Sequence, residues 1–207
     1  MCIRDRFLAV KPQNFAEVLT AAKSAVTEKT LFVSIAAGIS TAYITDLLKC
    51  KCPVIRTMPN TPLLIGKGAT AICRTDNVPD GQFDLVKSLF AACGTVTELE
   101  ESQMNAVISV NSSSPAYFYL FAKAMLDSAV AQGIHRETAL DLIAQTMEGS
   151  AGMLRESGKS PEELIKMVSS PGGTTLKALD VLYGRGCEQM IGDAMLACTK
   201  RAEELGK

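Results

Sequence analysis

One histidine and no tryptophan occur in 207 residues. A single imidazole excludes a histidine-clustered metal centre, which needs several ligands drawn together. A Ser-His-Asp triad stays formally open. His135, however, lies in Gly133-Ile134-His135-Arg136-Glu137-Thr138, which reads as a turn entering a helix, so a structural role is expected. The 7 cysteines are odd in number and show no paired framework. Cys50 and Cys52 form C-x-C rather than C-x-x-C, and reduced thiols are expected. Basic residues are not in excess: 21 Lys and Arg face 22 Asp and Glu, for a net charge of -1. That balance gives no electrostatic case for nucleic acid or an anionic membrane. No apolar run is long enough to span a bilayer. No apolar signal core with a cleavage site opens the chain. A cytoplasmic location is therefore expected.

Strand and helix patterns alternate through the first half. Phe7-Leu8-Ala9-Val10 is expected to end a buried parallel strand. After Lys11-Pro12, the residues Phe15, Val18, Leu19, Ala22 and Val26 recur at helical spacing. Residues 31–35, 54–58, 68–73 and 94–99 read as further strands. Helices carrying Tyr43, Ile44, Leu47 and Leu48, and then Phe83, Val86, Leu89 and Phe90, lie among them. This alternation predicts a mostly parallel α/β sheet. Met1 to Arg6 fit none of it and read as a sequencing or gene-start artefact.

Near Glu100 the pattern changes, and residues 102–207 show no strand signal. Val107, Val110, Tyr117, Leu120, Phe121, Ala124 and Met125 suggest a long apolar helix, interrupted or preceded by Ser112-Ser113-Ser114-Pro115. Leu140, Ile143, Met147 and Leu154 mark another. Cys187, Met190, Ile191, Ala194, Met195 and Cys198 mark the last. Such apolar, methionine-rich helices fit burial against a partner chain or ordinary core packing. The fold class expected is α/β then all-α, with domains at 7–100 and 101–207.

Ligands in open α/β sheets bind outside the carboxyl ends of the strands. Ala9-Val10-Lys11-Pro12, Ile35-Ala36-Ala37-Gly38 and Met58-Pro59-Asn60-Thr61-Pro62 occupy that position. Small or rigid residues there let a flat cofactor approach, although each also reads as a tight turn. In the helical half, Ser169-Ser170-Pro171-Gly172-Gly173-Thr174-Thr175 separates two helical patterns. Pro171 is expected to stop the first helix, and the glycines permit positive φ. Thr174 and Thr175 fall where a helix N-terminus exposes unpaired N–H groups. Hydroxyls, bare donors and a positive dipole end suit a small anion such as a carboxylate. A plain helix–turn–helix linker with a Ser/Thr cap is the other reading.

The run from Leu164 through Ser169-Ser170-Pro171-Gly172-Gly173-Thr174-Thr175 to Leu179 resembles the signature segment of the pyrroline-5-carboxylate reductases. The three loops of the α/β half occur in that family's order. Ser112 to Tyr117 is similar to its Gly-Ser-Ser-Pro-Ala-Tyr segment, with Ser112 where glycine is usual. The resemblance spans Phe7 to Lys207. It implies a partial Rossmann-like sheet followed by a helical dimerisation and substrate-binding domain. It also implies reduction of 1-pyrroline-5-carboxylate to L-proline with NADPH (or NADH), in a homodimer or higher homo-oligomer.

The resemblance further implies site residues. Ala9, Val10, Lys11, Pro12, Ala36, Ala37, Gly38 and Asn60 would bind cofactor. Ser170 with the Gly173 and Thr174 amides would hold the substrate carboxylate, and Thr175 would be the catalytic hydroxyl at the ring nitrogen. No G-x-G-x-x-G occurs among these residues, so the chain is expected to enter the nucleotide fold part-way. Two other expectations stay open. One is an inactive oligomerising or proline-binding fragment. The other is a Rossmann-plus-helical dehydrogenase with a catalytic lysine, for which Lys123 is poorly placed.

Overall fold

The computed structural model describes residues 5–206. They form two compact units, one of residues 5–115 with 194–206 and one of Ala116–Asp193.

The first unit is built on a five-stranded sheet in the order β1-β2-β3-β4-β5. The strands are β1 Asp5–Leu8, β2 Leu31–Ser34, β3 Val54–Met58, β4 Gly68–Arg74 and β5 Gly94–Glu98. Three pairings are parallel and that of β3 with β4 is antiparallel. The reversal has a simple cause: the connection 59–67 is too short for the crossover that parallel neighbours need. Helices α1 Phe15–Ala22, α2 Thr41–Leu48 and α3 Asp80–Ala91 make the other connections.

Alternation along β3 divides the core. Val54, Arg56 and Met58 point to one face, Ile55 and Thr57 to the other. On the first face, Phe32 and Val54 pack with Phe15, Leu19, Ile44 and Leu48 of α1 and α2. Met58, Ala71 and Cys73 on that face pack with Met104, Ile108 and Ala202. On the second face, Leu31, Val33, Ile55 and Ile72 pack with Phe83 and Val86 of α3.

Two expectations are corrected at the start of the chain. Among the described residues the first strand ends at Leu8 and pairs with β2 alone, and Phe7 is 54% exposed. The anomalous opening is partly structural: Arg6 pairs with Phe32, and its Nη2 donates to the Ala25 carbonyl at 3.3 Å. Met1 to Arg4 lie outside the described residues.

The helical elements that follow are α4 Ser114–Ala131, α5 Arg136–Glu156, α6 Pro161–Met167, α7 Thr174–Gly184 and α8 Cys187–Leu205. A π-helical turn, Ile108–Ser112, precedes α4 and breaks the long apolar pattern. His135 is the N-cap residue of α5. Helix α6 opens with a capping box, in which Ser160 Oγ accepts from Glu163 N–H and Glu163 Oε2 from Ser160 N–H. It ends at Met167, four residues before Pro171, so that proline shapes the turn rather than stopping the helix.

Within the second unit only a small cluster is fully buried, Leu126, Ala139 and Ile143. Phe118, Tyr119, Leu120, Phe121 and Leu142 stay exposed, Leu120 by 68%. The apolar side chains of these helices are thus largely not consumed by the unit's own core. Among the described residues no helix is long and apolar enough to cross a membrane.

Gly38 has φ +80, and a Cβ there would collide with the Ala202 carbonyl oxygen. Gly66 has φ +72 in open space. Gly38→Ala should therefore lower the unfolding free energy by roughly 2–4 kcal/mol, and Gly66→Ala by only about 1 kcal/mol. Urea unfolding of both variants checks the difference.

Candidate functional site

Because β1, β2 and β3 are parallel neighbours, the turns after them leave on one edge of the sheet. In the first turn Val10 packs against the α1–α2 core, Ala9 and Lys11 are exposed, and Pro12 opens a short 3-10 turn. In the second, Ala36 is buried and its N–H donates to Ser34 Oγ at 3.3 Å. Ala37 packs beside Met58 and Ala71, and Gly38 lies against the end of α8. The second and third turns share a cavity of about 330 Å³. Ile35, Met58, Pro59 and Leu63 make its apolar wall, and Asn60 and Ser112 give it polar groups. This suits a flat, mainly apolar ring with one polar edge. The Asn60 carboxamide is already engaged: Oδ1 accepts from Ala69 N–H at 2.9 Å, and Nδ2 donates to the Asn111 carbonyl at 3.0 Å.

A polar centre that the sequence analysis missed lies on the same face. Arg56, in mid-β3, is only 2% exposed. Its Nη1 donates to Glu101 Oε1 at 3.0 Å and its Nη2 to Asn105 Oδ1 at 2.6 Å. Glu101 Oε1 also accepts from Thr41 N–H at 3.1 Å, the first amide of α2, and Glu101 Oε2 accepts from Cys73 Sγ at 3.0 Å. One carboxylate thus ties β3 and β4 to the helix start that follows Ala36-Ala37-Gly38. The visible signal was an arginine inside the apolar run Val54-Ile55-Arg56-Thr57-Met58, since a buried guanidinium demands partners. Burial and the Glu101 carboxylate push the Cys73 thiol far above its ordinary range. Burial raises Cys52 to about 11, with Cys50 adding to the effect.

A larger cavity, about 570 Å³, opens beside Cys73 at the carboxyl ends of β4 and β5. Asp76, Glu98, Glu100 and Glu101 line it, which makes it a poor receptor for a phosphorylated cofactor.

In the second unit the α6–α7 turn is closed by local backbone geometry. Pro171 and Gly172, with φ +74, form the corner, and Gly173 N–H closes it on the Ser170 carbonyl at 2.9 Å. The donors left to a ligand therefore begin with Thr174, the first residue of α7. A Cβ on Gly173 would lie 2.7 Å from Ser170 Oγ. The missing side chain is what lets the Ser170 hydroxyl stand beside the α7 N-terminus. Thr174 is exposed and Thr175 half-buried. Lys123 has no comparable setting: it is exposed on α4, and its Nζ donates to Asp127 Oδ2 at 2.7 Å. That contact holds the Asp127 carboxyl below its ordinary value. Among the described residues no group of His, Cys, Asp or Glu could hold a metal ion.

Comparison with known proteins adds three findings. Residues 101–205 match the family described as pyrroline-5-carboxylate reductase dimerisation. A pyrroline-5-carboxylate reductase of Corynebacterium melassecola is 40% identical over 204 residues, covering 97% of this chain and 76% of that protein. One of Escherichia coli K12 is 37% identical, covering 97% and 75%. The crystal structure of Plasmodium falciparum pyrroline carboxylate reductase with NADP bound superposes with a TM-score of 0.94 at 28% identity, over 99% of this chain and 78% of that one. The Streptococcus pyogenes enzyme gives a TM-score of 0.89 at 30% identity, over 97% and 76%.

Glu101→Ala strands a buried guanidinium and should cost about 3 kcal/mol. Glu101→Gln keeps oxygen for Arg56 and Thr41 and should cost clearly less. Equal losses in urea unfolding would contradict the hub. At about pH 8.5, where an ordinary thiol is half ionised, Cys52 and Cys73 should stay protonated and resist iodoacetamide. Mass spectrometry of the labelled chain reads this directly.

Proposed function

The chain belongs to the pyrroline-5-carboxylate reductase family, and from that premise we propose that it reduces 1-pyrroline-5-carboxylate to L-proline with NADPH (or NADH). The observation that carries the reading is the α6–α7 turn, where the Ser170 hydroxyl lies beside Gly173, the residue that precedes the first turn of α7.

The substrate carboxylate binds the Ser170 hydroxyl and the Thr174 amide, favoured by the positive end of the α7 dipole. Gly173 contributes the space and Thr175 the hydroxyl at the ring nitrogen. The imine binds protonated, so its N–H donates to Thr175 Oγ and no separate acid is required. This agrees with a chain that offers no acid–base constellation near the turn. Ala9, Val10, Lys11, Pro12, Ala36, Ala37, Gly38 and Asn60 form the cofactor edge, and the apolar cavity beside Met58 fits the nicotinamide ring. When bound, the reduced nicotinamide supplies hydride to the imine carbon, and the C=N electron pair passes to nitrogen. The residues of the chain act by holding and orienting the substrate and by stabilising the cationic nitrogen.

Residues 7–100 serve as the carboxyl-terminal part of the cofactor domain, and residues 101–207 as the dimerisation and substrate domain. The exposed apolar helices of the second unit make a homodimer the expected assembly, in the cytoplasm.

NADPH oxidation should depend on 1-pyrroline-5-carboxylate and not on 3-hydroxyacids. Thr175→Val should lower kcat/KM at least tenfold, the lower range for losing one oriented polar group at a reacting centre. An unchanged value removes Thr175 from the mechanism. Light scattering at micromolar concentration should give twice the chain mass or more, and a monomer would refute the assembly.

A further inference from the structure

Beside the 330 Å³ cavity that Asn60 and Ser112 line, two asparagine side chains take the place of ladder partners at the start of β4. The β3–β4 register ends at Met58 and Ala71. Pro59 follows and brings no N–H. Beyond this point the Ala69 carbonyl needs a donor and Ala69 N–H needs an acceptor. Asn111 Nδ2 donates to that carbonyl at 2.8 Å and also to the Met58 carbonyl at 2.7 Å. Asn60 Oδ1 accepts from Ala69 N–H at 2.9 Å.

The two asparagines are joined to each other as well. Asn60 Nδ2 donates to the Asn111 carbonyl at 3.0 Å. Pro115, four residues on, has no N–H to give that carbonyl. Asn111 belongs to the π-helical turn, where Ser113 N–H reaches back to the Ile108 carbonyl at 2.8 Å. Turns of this kind recur at functional sites, and the next residue, Ser112, lines the cavity. Asn111 Oδ1 is buried and has no hydrogen-bond partner among the described residues. Reversing the amide would not relieve it, because the oxygen would then face two carbonyl oxygens. The fold thus keeps an unsatisfied acceptor in order to have two donors at this point.

We propose that Asn111 is a positioning residue, which fixes the Met58-Pro59-Asn60 lip of the cavity through its two donors, with Asn60 completing the bracket. Its functional meaning rests on the reductase reading above. Asn111 acts through Met58 and Asn60, which border the space given to the nicotinamide ring. A loosened lip misplaces the reacting atoms rather than removing a ligand contact.

The test uses Asn111→Asp, which swaps the donors for oxygen at constant shape, Asn111→Ala, and Asn111→Ser, which keeps one donor. Assays run at a temperature where circular dichroism shows every variant folded. In the Asp and Ala variants kcat should fall about tenfold to a hundredfold, with KM for 1-pyrroline-5-carboxylate within about twofold, and Ser should fall between. Amide exchange at Ala69, read by NMR without ligand, should accelerate about tenfold or more in the same order. Full kcat in the Asp variant, or unchanged exchange at Ala69, overturns the proposal. A folded wild-type chain that does not reduce the imine sinks the reductase reading instead. The bracket is then decided by Ala69 exchange alone, acceleration supporting it and constancy overturning it.

Discussion

A guanidinium buried in the middle of a central strand must be paired, and much of the first unit follows from that demand. Arg56 cannot shed its proton and cannot reach water. The chain leaving β5 therefore has to bring Glu101 and then Asn105 back over the sheet. The same carboxylate takes the first amide of α2 and the Cys73 thiol. One electrostatic requirement thus fixes a strand, the start of a helix and the exit from the sheet. The turn assigned to the cofactor is held between that hub and the Gly38–Ala202 contact.

The α6–α7 turn works by the opposite means. It contains no buried charge and no long-range partner among its hydrogen bonds. Its geometry comes from a proline and glycine corner, a backbone bond from Gly173 to Ser170, and the absence of one Cβ. A turn of this sort is written in consecutive residues, so its shape can be read from a short run. The Arg56 centre needs residues 41, 56, 73, 101 and 105 together, so no short motif could reveal it.

The same contrast explains what was legible in the sequence. Helix periodicity located α2, α5 and α8, and a short apolar run located β3, because local pattern reports burial directly. The direction of β4 was not legible from its own residues, since Gly68 to Cys73 looks alike in either sense. Only the shortness of 59–67 carried that information. Glu101 stood beside Glu98 and Glu100 with nothing in composition to distinguish it. Asn60 was noticed through its loop, but its two internal hydrogen bonds belong to tertiary structure. Asn111 carried no local signal at all.

The reversal between β3 and β4 also bears on how the chain reaches this structure. The parallel neighbours in the sheet are joined through 9–30, 35–53 and 75–93, whereas β3 and β4 are joined through 59–67 alone. Closing the shortest loop costs the least chain entropy. The hairpin of β3 and β4 is therefore the cheapest pairing to form early, before β1 and β2 are recruited at greater sequence separation. The cavity lip lies at its closed end, where β3 enters the 59–67 connection, so the cavity edge takes shape on the most local part of the sheet.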